Sequence, residues 1–201
     1  MRPHVKAALL CVGAMSCGSG GVNEATRQIA KVVPAVEKVA AEATREPIQC
    51  DEPIKTGTAR GCTIQTITCG SVVEGSTAGM PRRWGDQFYV SAFCTPYRHY
   101  YEEAGEAVYR LEVPPNIQAD VRLDSDCVDL DVVSMSWSDT SSCPGDEHVG
   151  RIRECEMDTH DGGGSIRMTT VDKPQVYVVG VDGKQGAAGN FRLTVTCSTY
   201  R

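Results

Sequence analysis

The sequence predicts an all-β domain: an antiparallel β-sandwich of jelly-roll-like form, behind a signal peptide and a short linker that is helical or disordered. Three observations lead there. Seven stretches after residue 61 concentrate β-branched and aromatic residues over strand lengths, and few stretches show a helical period. Clusters of Gly, Pro, Asn and Asp separate them. Eight cysteines, an even set, follow an N-terminus that looks exported. With 201 residues, 41% of them hydrophobic and 23% charged, the chain can bury a core and does not read as disordered. Its net charge of −6 repels nucleic acid phosphates and anionic headgroups, and no basic patch interleaved with aromatics reverses that.

In chain order, residues 1–17 read as a secretory signal peptide. Arg2 and Lys6 give a basic start, an apolar run from Ala7 to Met15 follows, and small residues come next. The run is shorter than the roughly 20 residues that a membrane-spanning helix takes. "AMSC", Ala14 to Cys17, resembles a bacterial lipobox, with Ala14 where leucine is usual. That resemblance implies a lipid on Cys17 and a membrane anchor through it, with "GSGG" as a flexible spacer. Loss of residues 1–17 removes Arg2 and Lys6 and takes the net charge from −6 to −8.

Residues 18–61 are the linker. Ile29, Val33, Val36, Ala40 and Ala43 fall on one helical face, Asn23 can cap the start, and Pro34 interrupts the helix or opens a second one. The stripe is rich in alanine and therefore weak, so the segment reads as a partly ordered tether rather than a docking stalk.

From residue 62 to 201 the period becomes two. "CTIQTIT", "AVYRLEV", "IQADVRL", "VDLDVVSMSW", "SIRMTT", "QVYVVGV" and "NFRLTVTC" follow one another as strands. Alternation is strictest in the last. Phe191, Leu193, Val195 and Cys197 face one way and Arg192, Thr194 and Thr196 the other, as a sheet with one wet face requires. Cys50, Cys62, Cys69, Cys94, Cys127, Cys143, Cys155 and Cys197 read as a disulfide framework, each bridge worth about 2–4 kcal/mol. Their number leaves the full connectivity open.

The stretch "VVGVDGKQGAAGNFRLTV" near the C-terminus resembles the final hairpin of the bacterial pre-peptidase C-terminal (PPC) domain family. Tyr177–Val181 stands as its first strand, Asp182-Gly183 as its Asp-Gly pair, Gly186 and Gly189 as turn glycines, and Phe191–Val195 as its last strand. "GEAVYRLEVP" from Gly105 and "DLDVVSMS" from Asp129 resemble the family's early and central strands. "TCGSVVEGSTAG" from Thr68 resembles the opening segment of cysteine-containing members. Together they cover residues 62–201. An insert between Trp137 and Gly164, with two cysteines and two histidines, departs from the pattern. The resemblance implies a non-catalytic β-sandwich with a role in binding, secretion or stability, sometimes with bound calcium. It also implies a Cys69–Cys94 bridge.

Candidate sites are few. Cys143-x4-His148 and Cys155-x4-His160 place two thiols and two imidazoles close in sequence, but the spacing is not that of a zinc finger. In an oxidising compartment the reading is a Cys143–Cys155 disulfide closing a short surface loop. "LDSDCVDLD" offers Asp124, Asp126, Asp129 and Asp131 as calcium ligands, with Asp158 and Asp161 as loop additions. The spacing is not that of an EF-hand, so a solvated face is the alternative. Tyr97, Tyr100 and Tyr101 beside Arg98 and His99 suit a sugar or protein ligand, or else cover an edge of the sandwich. "GSTAG", Gly75 to Gly79, has Thr77 where a nucleophile elbow has serine and precedes no helix. No metalloprotease, P-loop or dinucleotide motif occurs.

These readings predict an exported, lipid-anchored cell-envelope protein that is not an enzyme and requires no cofactor. It acts as a binding or accessory module for an envelope protein or glycan and binds no nucleic acid. A secreted hydrolase using a histidine of the 143–161 loop, and a purely structural envelope protein, are the alternatives.

Overall fold

Side-chain alternation along each strand decides which layer it faces, and the strands pair accordingly. The structure is a computed structural model that describes residues 46–91, 101, 103–139, 141–156 and 162–200. Strands β1 (Thr66–Ile67) and β2 (Val72–Ser76) precede a one-turn helix, α1 (Asp86–Val90). Then come β3 (Ala107–Val113), β4 (Ile117–Asp124), β5 (Leu130–Ser136) and β6 (Ile152–Glu156). The chain closes with β7 (Gly164–Thr169), β8 (Gln175–Gly183) and β9 (Asn190–Thr199). One sheet has the order β1-β3-β8-β5-β6 and the other β2-β9-β4-β7. Pairing is antiparallel except for the short parallel contact of β1 with β3.

The two sheets face each other across one apolar layer. Ala107, Tyr109, Leu111 and Val113 of β3 and Tyr177, Val179 and Val181 of β8 meet Ala119, Val121 and Leu123 of β4 and Phe191, Leu193 and Val195 of β9. The alternation read in the last strand is therefore the one the fold uses. Arg192, Thr194 and Thr196 lie on the outer face of the four-stranded sheet, where Arg192 pairs with Glu74 at 2.6 Å.

A second apolar layer lies outside the five-stranded sheet. Val108, Val133, Met135 and Val178 point away from the sandwich interior and are covered by Trp84, Phe88, Tyr89 and Tyr101. A sheet buried on both faces wants runs without alternation. "VYVVGV" and "LDVVSMS" are such runs. Trp84 reaches the sheet because Gly180 leaves room: a Cβ there would lie 2.4 Å from the Trp84 ring. The ring stacks on Phe88 at 4.7 Å, and its Nε1 donates to Pro144 O at 2.8 Å.

Three sequence expectations are corrected. The last two strands do not form a hairpin. β8 belongs to one sheet and β9 to the other, and residues 184–189 cross between them. Sheets pack about 10 Å apart, a gap those residues can span. The turn places Gln185 at φ 54° and Gly186 at φ 75°, and glycine suits the second of these.

Cys69 bonds to Cys197, not Cys94. The pairing Val72↔Thr194, continued three residues, puts position 69 opposite 197. Cys143 bonds to Cys62, not Cys155. Residues 152–156 are a strand, with Cys155 fixed opposite Val133, while Trp84 holds residue 144 over the outer face near Cys62. Cys155 is also disulfide-bonded, and Cys94 lies outside the described residues. The third bridge, Cys50–Cys127, ties the start of the described chain to the β4–β5 connection.

Residues 46–61, read in sequence as linker, contain no helix or strand element but are fixed to the sandwich. Asn190 Nδ2 donates to Gln49 O and Glu52 O, and its Oδ1 accepts from Ile54 N at 2.8 Å.

Candidate functional site

Two places on the fold concentrate chemistry. The first is a row of acids. Val132↔Val181 and Ala107↔Val181 are inward-facing partners, so the next position of each strand points outward. That position is Asp131 in β5, Asp182 in β8 and Glu106 just before β3. Asp131 and Asp182 are direct cross-strand partners, and the β3 register puts Glu106 on the other side of Asp182. Each is only 1% exposed.

The segment leading into α1 is held by this row. Glu106 Oε2 accepts from Arg83 N at 2.6 Å and its Oε1 from Trp84 N at 3.1 Å. Tyr101 donates its hydroxyl to Asp131 Oδ2 at 2.6 Å, and its own N–H goes to Asp86. Tyr89 interacts with Asp182, whose Oδ1 also takes Gly183 N–H at 2.7 Å. Burial pushes the Asp131 carboxyl up to about 7; the Tyr101 hydrogen bond opposes this, and the charges of Asp129 and Asp182 add to it. Burial likewise raises Asp182 and Glu106, the latter with help from the Asp182 charge. Tyr89 and Tyr101 are held well above the usual phenol range by burial and by their acid neighbours.

The second place is a groove of about 700 Å³ at the other end of the same strands. It is lined by Arg110, Glu112 and Pro114 on the β3 side, by Pro174 and Val176 on the β8 side, and by Cys69. Arg110 Nε meets Glu112 Oε1 at 2.8 Å, and both side chains reach solvent. β1 stops at Ile67, opposite Leu111, and the chain leaves for the second sheet, which opens the space beside Glu112. Val171 and Tyr200, 55% and 44% exposed, belong to the same pole, joined through Asn116, which donates to Val171 O and accepts from Tyr200 N. Ile48 and Cys50 attach at the opposite pole through Asp126 and Cys127. At about 3.3 Å per residue, a strand of this length separates the poles by roughly 25 Å.

The sequence-predicted sites are redistributed. The four aspartates proposed for calcium do not converge. Asp124 lies on the outer face of the four-stranded sheet, its Oδ1 on Arg122 at 2.9 Å. Asp131 lies on the outer face of the five-stranded sheet, beneath Tyr101. The β4–β5 connection crosses from sheet to sheet, which puts the whole sandwich between them. Asp126 accepts from Ile48 N at 3.1 Å, and only Asp129 stays near Asp131. Among the described residues no group of three or more His, Cys, Asp or Glu side chains is arranged to hold a metal ion.

Tyr101 is 4% exposed and caps the core, so it offers no ligand platform. Tyr97, Tyr100, Asp158, His160, Asp161 and Cys17 lie outside the described residues. His148 accepts from Gly145 N on Nδ1 and packs its ring edge-on to Trp137 at 4.6 Å, a contact that closes the Asp146–Arg151 turn.

Sequence reading missed both places. The acid row joins three stretches far apart in the chain, and only cross-strand register reveals it. The groove had a weak signal, the prolines at 114, 115 and 174 that stop β3 and precede β8.

No protein-family model matches the chain, and no curated protein does. Among solved structures it is similar to the pre-peptidase C-terminal domain of collagenase from Bacillus anthracis. The identity is 14% and the TM-score 0.38, over 67% of this chain and 96% of that one. It is also similar to PliG of Aeromonas hydrophila, a periplasmic inhibitor of g-type lysozyme. There the identity is 12% and the TM-score 0.36, over 67% of this chain and 97% of that one. These likenesses are too low to bring either protein's function to this chain.

Proposed function

We propose that the chain is a non-catalytic binding or accessory module of the bacterial cell envelope, anchored by a lipid on Cys17. Its ligand is an envelope protein or glycan. The observation that carries this reading is the groove beside Glu112. It is open and proline-lined, and it carries one ion pair. An apolar recess with a few placed polar groups is what recognition sites use.

The test compares the wild type with Arg110→Ala and Pro115→Glu in a glycan array and in crosslinking to isolated envelopes. The Arg110–Glu112 pair is exposed, so Arg110→Ala leaves stability within about 1 kcal/mol. The expected result is a ligand whose binding falls at least fivefold in both variants. A ligand that binds both variants like the wild type would place the site elsewhere. The absence of any ligand would favour a structural role. Cys17→Ala should move the protein from the envelope to the soluble exported fraction.

A further inference from the structure

Three carboxylates abreast in one buried row cannot all ionise, because each is stripped of water and repelled by its neighbours. Glu106, Asp182 and Asp131 are in that position, and Asp131 Oδ1 is buried with no hydrogen-bond partner. Protonation turns such an oxygen from an orphan acceptor into a donor that a neighbouring carboxylate can take. The groups facing the row are Arg82 before α1, Tyr89 on α1, Tyr101 before β3, Asp129 before β5 and Lys184 after β8. Arg82 and Lys184 favour ionised carboxylates, and Asp129 opposes them. With Asp129 the acids outnumber the cations, so the surroundings do not neutralise the row.

We propose that the row is a proton-binding latch: protons held among Glu106, Asp182 and Asp131 keep residues 81–91 and Tyr101 closed over the five-stranded sheet, and their loss opens this cover. Several links from the cover run to these acids, and each donor favours the ionised carboxyl, so the hold on protons comes from burial and mutual repulsion, which outweigh the links. Arg83 and Trp84 bind Glu106, Tyr101 binds Asp131 and Tyr89 meets Asp182. Opening exposes Trp84, Phe88 and the apolar face beneath them. This device is separate from the groove and does not depend on it.

The sign follows from the direction of the shifts. Burial raises all three carboxyls, Asp131 to about 7. The folded chain therefore holds protons that the unfolded chain gives up near the ordinary carboxyl range of about 4. The stability supplied by the closed cover is complete below that range. It is lost as pH rises through the folded values.

The experiment uses the full disulfide-bonded chain. Carboxyl-carbon NMR follows the three acids, and amide exchange, corrected for intrinsic rates, follows Trp84 to Val90 between about pH 5 and pH 8.5. The row is expected to titrate above about pH 6, and protection of the cover to fall at least tenfold while that of Val121 and Leu193 holds. Asp131→Asn is expected to move the loss to higher pH; if that variant does not fold, the wild-type titration decides. Carboxyls that titrate in the ordinary range, or protection that ignores pH, would overturn the proposal. So would restoration of protection at high pH by millimolar calcium as complete as that by acid, which would make the row a cation site.

Discussion

Replacing Gly180 by alanine tests the second apolar layer, and two lines of reasoning disagree about its sign. A strand glycine exchanged for alanine ordinarily gains roughly 0.5–1 kcal/mol, because glycine loses more backbone freedom on folding. The packing predicts the opposite. The added Cβ would lie 2.4 Å from Cζ3 and 2.8 Å from Cη2 of Trp84, and 3.3 Å from a Val133 methyl. The ring cannot step aside cheaply. Its Nε1 is held by Pro144 O at 2.8 Å, its backbone by Glu106 at 3.1 Å, and its face is stacked on Phe88. Forcing a methyl into such a site costs about 1–3 kcal/mol. The net expectation is a loss of about 1 kcal/mol, read as a lower midpoint in urea with an unchanged slope. In a Trp84→Leu background the same exchange should cost far less, a coupling of about 1–2 kcal/mol. A neutral or stabilising Gly180→Ala in the wild type would refute the argument that Trp84 is seated on this glycine.

Two further outcomes follow from the corrected connectivity and the anchored N-terminal segment. Peptide mapping of the unreduced protein should recover Cys69 linked to Cys197 and Cys62 to Cys143. Removing the former by a double serine exchange should cost about 4 kcal/mol in urea unfolding, since it closes a loop of 128 residues; a Cys69–Cys94 peptide would reverse the assignment. Asn190→Asp keeps an acceptor for Ile54 N but turns the donor to Gln49 O and Glu52 O into a carboxylate. Limited proteolysis within residues 48–54 should speed up at least tenfold, with a stability loss of about 2 kcal/mol; an unchanged rate would show that the Cys50–Cys127 bridge alone holds the segment.

What was legible in the sequence was set by how much of the physics is local. Alternation is local, so "NFRLTVTC" declared both its strand and its inner face. The all-β class was equally open, because glycine and proline punctuation cuts the chain at strand lengths. Sheet membership is not local. "VVGVDGKQGAAGNFRLTV" looks like a hairpin, since two strands flank a glycine turn. Nothing in those residues says that the turn crosses from one sheet to the other. The disulfides failed for the same reason: position 69 meets 197 only once β2 is known to pair with β9. The strands β2 and β6 hid in "VVEGS" and "IRECE", where charge and glycine mask the pattern. The unbroken apolar run "VYVVGV" was the one available sign that the outer face is covered, but a run without alternation cannot say by what.

The cover also explains why acids stand on an outer face that is otherwise buried under apolar residues. A chain crossing the end of a sheet without joining it as a strand presents its N–H groups to no ladder. Arg83 N and Trp84 N are in that situation, and one carboxylate can accept both. Leucine at position 106 would bury more apolar surface and leave two donors orphaned, at about 1–3 kcal/mol each. Asp131 answers the Tyr101 hydroxyl in the same way. Each acid is thus called for by a polar group of the cover, and the flat register of β3, β8 and β5 sets them side by side. The repulsion within the row follows from that demand, and so does its hold on protons. A cover tied by neutral acceptors would close equally well at every pH, while one tied by three neighbouring carboxylates cannot.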